Sequence, residues 1–188
     1  MADRRSRVRA AVPRDASAIA ELHVRAWQAA YRGQLPQHHL DTLDVQARRQ
    51  RWHRHLAEPQ ERWGSVLVVE ESTGALAGFV SLGASRDDDA PPDCGEIASL
   101  YVEPTLIGRG HGRSLMAALH MLSQNGFRQA TVWVLNTNEQ GRRFYEKAGW
   151  TDTGLEKDDE VAGMAIADVR YHRTIDLTDP DLTDPDPT

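Results

Sequence analysis

The 188-residue chain has one cysteine, Cys94, so an internal disulfide framework is excluded. It has no apolar run approaching the ~18 residues of a membrane span. Its basic start, Met-Ala-Asp-Arg-Arg-Ser-Arg, is not followed by the apolar core of a secretion signal. Together these absences set the expectation of a cytoplasmic protein with no membrane partner. A basic surplus is missing too. Net charge is -6, and five of the 28 acidic residues lie after Arg173, where there is no Lys or Arg. The rest of the chain sets 22 basic residues against 23 acidic ones, so charge gives no support to nucleic-acid binding. Zinc spacing is absent: His38-His39 and His53-x-His55 lack a Cys or carboxylate frame and read as solvated helix positions. No metal is expected. Asp-Leu-Thr-Asp-Pro occurs twice, at 176–180 and 181–185, which is too little for a repeat fold. Low hydrophobicity, charge and proline predict a disordered acidic tail over 175–188, after one domain over 1–174.

What the chain does have is concentrated between Cys94 and Leu119. Ile97, Leu100, Tyr101 and Val102 are strand formers, and Glu103-Pro104 ends the run. Leu115, Met116, Leu119 and Leu122 then follow at helical spacing. Between them stand Gly108, Gly110 and Gly112, flanked by Arg109 and Arg113. The order is strand, glycine-rich cationic loop, helix. A helix start has unpaired N–H groups and partial positive charge, and glycines let a large anion approach the backbone. The stretch therefore reads as a phosphate site, or else as a plain strand-to-helix turn. Two common phosphate loops fail on spacing, because both require a glycine where Arg113 stands.

Around this stretch the pattern reads as follows. A short strand at 8–12 precedes a turn with Asp15 as helix cap. Ile19, Leu22, Ala26, Trp27 and Ala30 mark one helix face, ending near Gly33. A second helical region runs from Leu35-Pro36 to about Leu56, closed by Pro59. Strands at 65–70 and 75–82 form a hairpin around Ser72-Thr-Gly74. A polar loop covers 86–93, and the central helix ends near Asn125-Gly126. A strand at 129–135, a helix at 139–148, and strands near 150–153 and 164–171 complete the chain. The last two flank an acidic connection at 157–160. The order β-α-α-β-β-β-α-β-α-β-β predicts an α/β sheet of mixed direction.

Ile107-Gly108-Arg109-Gly110-His111-Gly112 resembles the [QR]-x-x-G-x-[GA] motif of the GNAT superfamily of acetyl-CoA-dependent N-acetyltransferases, with Ile107 in place of Gln or Arg. A second segment agrees. Asn138 through Phe144-Tyr145 to Gly149-Trp150 resembles the family's N-x-x-A-x-x-[FL]-Y-x-x-x-G-[FW], with Gly141 at the alanine place. The likeness spans about residues 8–174. It implies a mixed, mostly antiparallel central sheet flanked by helices. It also implies acetyl-CoA as cosubstrate, its pyrophosphate held by backbone amides of residues 107–114, Ser114 included. Arg109 and Arg113 add charge, and His111 presents its amide. The strand at Leu100, Tyr101 and Val102 would pair with the pantetheine arm. Asn138, with Asn136 as a second candidate, would bond that arm, although Asn138 is equally a helix cap. A homodimer is common in the superfamily.

The activity implied is acetyl transfer to a primary amine, on a small molecule or a peptide N-terminus, in a ternary complex. Trp133 stands where ribosomal-protein alanine acetyltransferases tend to carry glutamate, which argues against that subgroup. The alternative is a non-catalytic acyl-CoA-binding module. An alkyl ammonium has a pKa of ~10.4, so forming the neutral amine at pH 7 costs about 4.6 kcal/mol at ~1.36 per unit. A general base lowers that cost, and a strand N–H can stabilise the oxyanion. Glu96 is the candidate base: it lies 14 residues before Gly110, the spacing found in several family members. Alternation puts it on one face with Ala98 and Leu100, where burial raises a carboxyl pKa. A capping or ion-pairing role competes. Tyr145 is the candidate acid for the departing thiolate, or a core aromatic beside Phe144. Trp27 and Tyr31 are candidates for the acceptor pocket, with core packing the rival for Trp27. Asp87–Asp89 and Asp158–Glu160 could draw in a cation or simply be solvated. Cys94 reads as a small apolar filler rather than a nucleophile.

Overall fold

A computed structural model describes residues 6–58 and 64–175. The first five residues, Pro59, Trp63 and the acidic tail from 176 onward lie outside the described residues. The first part of the chain forms β1 (Arg7–Ala10), a 3-10 turn (Pro13–Asp15), α1 (Ala16–Ala30), α2 (Gln37–Asp41) and α3 (Val45–Ala57). A meander follows: β2 (Gly64–Glu70), β3 (Leu76–Ala84) and β4 (Cys94–Val102). After a second 3-10 turn (Pro104–Leu106) come α4 (His111–Met116) and α5 (Leu119–Gln124). β5 (Gln129–Leu135), α6 (Glu139–Lys147), β6 (Thr151–Val161) and β7 (Met164–Thr174) complete the fold.

The strands make one seven-stranded sheet in the order β1-β2-β3-β4-β5-β7-β6. Among the described strands, only β4 and β5 run parallel; every other neighbouring pair is antiparallel. Alternation along β2 shows how the sheet divides its two faces. Val66 and Val68 pack with Phe79 against Ile19, Leu22 and Ala26 of α1, and Trp52 and Leu56 of α3 join them. Leu67 and Val69 face the opposite way, onto a larger core with Leu115, Leu119 and Leu122 of the central helices. Each fully buried Leu there is worth roughly 1.5–3 kcal/mol.

Three elements differ from the expectations. The second helical region is two helices, because Asp44 caps a new start: its carboxylate accepts from the Gln46 and Ala47 amides at 2.7 and 3.1 Å. The central helix is likewise split, into α4 and α5. Residues 157–160, Lys157 followed by three acidic residues, are not a connection. They are strand, paired from Lys157↔Asp168 to Glu160↔Ala165, and the turn lies at Ala162-Gly163. Both turn residues have positive φ, +53° and +79°, which suits a two-residue hairpin. The β6 arm is exposed along nearly its whole length, so charges there remain solvated.

Candidate active site

The site begins where the parallel pair separates. β4 and β5 are bonded only from Cys94↔Gln129 to Ile97↔Val132. Beyond that point β4 keeps its pairing with β3, and its other edge, from Ala98 to Val102, has no strand partner among the described residues. Unpaired strand N–H and C=O groups need partners. A cavity of about 430 Å³ opens along this edge, lined by Ala98–Val102 of β4 and Val132–Val134 of β5. A bulge lies at the same place. Ser81 pairs with Ser99 while Leu82 pairs with Ile97, so Ala98 is the extra residue. Bulges re-aim side chains and end pairing, and this one does both.

The bulge corrects the expected orientation of Glu96. It was expected to share a face with Ala98 and Leu100. With one residue inserted, Glu96 instead follows the alternation of Ser99 and Tyr101, opposite Ile97 and Leu100. There the residue is 6% exposed, and its carboxylate is held by Arg86. The guanidinium Nε donates to one oxygen, and the Arg86 backbone N–H donates to the other at 3.2 Å. Glu96 is not among the residues lining the cavity.

The loop end of the cavity is made by backbone. Gly108 and Gly110 hold φ of +85° and +92°, and a Cβ at either would meet nothing within 4 Å. These glycines are there for the turn, and their surroundings are open. Gly112 is different: a Cβ there would lie 3.1 Å from Phe144, so glycine allows close packing of α4 on α6. Ile107, Gly108, Gly110, His111, Gly112 and Arg113 all line the cavity, whereas Arg109 and Ser114 do not. Ser114 Oγ turns back to the Gly110 carbonyl at 3.4 Å. His111 is 5% exposed and places Nε2 3.2 Å from Glu71 Oε1.

Farther along, Tyr145 is buried and lines the cavity from α6, and no described residue hydrogen-bonds its hydroxyl. Burial, then the neighbouring Tyr101 phenol, pushes its pKa up. Asn138 lines the cavity while capping α6, its Oδ1 accepting from the Gly141 amide at 3.0 Å. A Cβ on Gly141 would fall 2.8 Å from the Asn138 carboxamide, which accounts for glycine at the alanine place. Asn136 is off the lining, its amide bonded to Ala167. Cys94 is buried, and burial raises its thiol pKa, which leaves a weak nucleophile.

At the opposite end stand aromatic rings. Trp27 Nε1 donates to the Tyr101 hydroxyl at 2.9 Å, and the Tyr31 and Tyr101 phenols lie close enough to act on each other electrostatically. Tyr31 and Tyr101 line the cavity; Trp27 does not, and Arg48 stacks on its ring at 4.9 Å. Burial raises both phenol pKa values. His23 sits under Tyr101, ring centroids 4.9 Å apart, among Trp27, Trp52 and Phe79. The alanines of α1 that floor this end, Ala26, Ala29 and Ala30, carried no chemical signal in the sequence beyond their helical spacing.

A sheet opened between a parallel pair, with a glycine loop and helix start at its mouth, is the arrangement expected of the acetyltransferases that the sequence resembles. A model of the acetyltransferase (GNAT) family matches residues 17–150, and the chain belongs to that family of acyltransferases. Its relatives are named accordingly. An uncharacterized N-acetyltransferase of Bacillus subtilis, YuaI, is 28% identical over 168 residues, covering 86% of this chain and 89% of the relative. A probable N-acetyltransferase of Mycobacterium tuberculosis is 30% identical over 143 residues, covering 75% and 77%. Among solved structures, the PaiA N-acetyltransferase of Thermoplasma acidophilum in complex with coenzyme A superposes with a TM-score of 0.68 at 16% identity. It covers 91% of this chain and 99% of that one. A putative acetyltransferase of Salmonella typhimurium, yncA, with its cofactor acetyl-CoA, gives 0.67 at 24% identity, covering 98% and 99%. At these identities the structural likeness speaks for the fold.

Proposed function

We propose that this protein transfers the acetyl group of acetyl-CoA to a primary amine by direct attack in a ternary complex. The observation that carries the reading is the unpartnered β4 edge over Ala98–Val102, running straight into the glycine loop. An extended amide-bearing arm can pair with that edge as a missing strand would. The loop amides and Arg113 then suit the pyrophosphate. The glycines leave room for it, so the residues present fit the cosubstrate.

Acetyl-CoA supplies the activated acyl group; the chain supplies position and proton handling. Tyr145 offers its hydroxyl to the departing sulfur. Its pKa lies above the ordinary ~10 for tyrosine, whereas a thiol lies near ~8.5, so the phenol acts by hydrogen bonding rather than by complete proton transfer. The weak Cys94 nucleophile favours direct attack over an acyl-cysteine route. For Glu96 to serve as base, its carboxylate must first leave Arg86. A non-catalytic acyl-CoA-binding module would have no use for a free phenol in the cavity. Mixing the protein with acetyl-CoA and a primary-amine panel, while following thiol release and product mass, tests the proposal. Thiol release with an acetylated amine is expected. Binding of acetyl-CoA without release for any amine would favour the non-catalytic module.

A further inference from the structure

We propose that the aromatic end of the cavity takes the acceptor as an uncharged free amine, its third proton already left in solvent, and that it selects an α-amino group on an uncharged apolar body. This rests on the acetyl-transfer reading above. The observation behind it is what lines that end. The floor is Ala26, Ala29 and Ala30, and the walls are Tyr31, Tyr101 and Trp133. Among the described residues, no Asp, Glu or Lys lines the cavity, and its one arginine, Arg113, belongs to the glycine loop at the other end.

The charged groups behind these walls are engaged elsewhere or stand outside the lining. Glu96 of β4 is held by Arg86. Arg170 of β7 is bound to Asp89 at 2.7 and 2.8 Å and to Asp87 at 3.4 Å, and Asp87 also accepts from Trp133 Nε1 at 2.9 Å. Asp168 of β7 is outside the lining, with Lys157 of β6 paired opposite it. His23 of α1 lies beneath Tyr101, and Arg48 of α3 lies over Trp27; neither lines the cavity. His111 does line it, but from the start of α4, with Nε2 3.2 Å from Glu71. What faces an entering nitrogen is the phenols of Tyr31, Tyr101 and Tyr145. Burial raises the pKa of each, so at neutral pH they are dipoles and not bases.

Aromatic rings can attract a cation, but Trp133 already carries Arg170 at 5.6 Å and Lys157 at 6.0 Å. An ammonium entering here would lose water and find no counter-charge, which costs far more than burying a neutral amine. The neutral form is the one that fits. At pH 7 only about one molecule in 2,500 is neutral for an alkylamine of pKa ~10.4, against roughly one in ten for an α-amino group of ~7.7–8.0. The cavity therefore favours the weaker base. A carboxylate on the acceptor would meet no cation at this end, which sets free amino acids at a disadvantage.

The balance of the step is simple. The third ammonium proton goes to solvent before binding. The nitrogen lone pair then forms the C–N bond, and the C–S bond breaks with its electrons on sulfur. Of the two remaining protons, one stays on the amide nitrogen and one ends on the coenzyme A sulfur.

The test uses the full chain at saturating acetyl-CoA with three probes: phenylalanine amide, glycine amide and 2-phenylethylamine. Thiol release gives kcat/KM against pH. The acidic limb is expected to break at each probe's own pKa, so that the amides and 2-phenylethylamine differ by about two units. At pH 7 phenylalanine amide is expected to exceed 2-phenylethylamine by at least about 10-fold. It is expected to exceed glycine amide by about 10-fold as well, mostly through KM, because its ring is buried. A limb that breaks at one pH for all three probes marks a titrating group of the enzyme and overturns the free-amine inference, with acetyl transfer itself intact. Equal kcat/KM for the two amides overturns the selection of an apolar body. No thiol release with any primary amine overturns the acetyl-transfer reading and this inference with it.

Discussion

The two ends of the cavity are built differently. The loop end is backbone: consecutive amides after β4, turned by Gly108 and Gly110 and open to solvent. The aromatic end is side chains brought from α1 and its C-terminus, β4 and β5, resting on a buried aromatic box. A backbone site is written as a contiguous spacing and resists most substitutions except those that spoil φ. A side-chain site is dispersed along the chain and depends on burial and charge.

That contrast predicts where acid strikes first. His23 lies in the box beneath the acceptor end, and burial, followed by Arg48 and Arg51, lowers its pKa to about 3. The unfolded chain binds a proton there below about 6.5, whereas the folded chain refuses it until about pH 3. Stability is therefore full above 6.5 and lost as pH falls through this window, by several kcal/mol at ~1.36 per unit. Denaturant melts from pH 7 to 4 should show the slope, and His23→Leu should reduce it. An equal slope in the variant would detach acid sensitivity from the box.

The loop end breaks by backbone strain. Gly110→Val puts a β-branched residue at φ +92°, in a region costing non-glycine residues roughly 1–2 kcal/mol or more. A side chain placed where the cosubstrate approaches adds to that. Acetyl-CoA affinity should fall about 10- to 100-fold by calorimetry, with no change in the acidic limb of turnover in the residual activity. Wild-type affinity would mean that this loop does not hold the diphosphate.

Much of the first end was legible in the sequence, and little of the second. Strand, glycine loop and helix are contiguous, so 94–119 carried its own geometry. Even Gly141, an apparent irregularity, follows from how the Asn138 cap folds onto it. Glu96 was misoriented because strand alternation assumes an unbroken pleat. The bulge at Ala98 is fixed by pairing with Ser81 and Leu82 of a separate strand. Residues 157–160 looked like a loop because charge suggests solvent. A hairpin arm exposed along its length satisfies that charge while remaining strand.

Tyr145 stands between the two ends. Its hydroxyl has no partner among the described residues, and its pKa is raised. Tyr145→Phe should lower kcat about tenfold, the equivalent of ~1.4 kcal/mol and of one hydrogen bond to a charged group. Acetyl-CoA affinity should not change. Full turnover in the variant would reduce Tyr145 to a packing residue.

The smallest effect on turnover should come from Glu96→Gln. Glu96 is held by Arg86, so neutralising it removes an ion pair without touching the cavity. Its partner's side chain is 72% exposed, so solvent screens the pair and the stability loss should be modest. Turnover should stay near wild type and the acidic limb should remain, because Glu96 does not line the cavity. If Glu96→Gln flattens the limb, Arg86 must swing aside during turnover, and the buried carboxylate on β4 is the base.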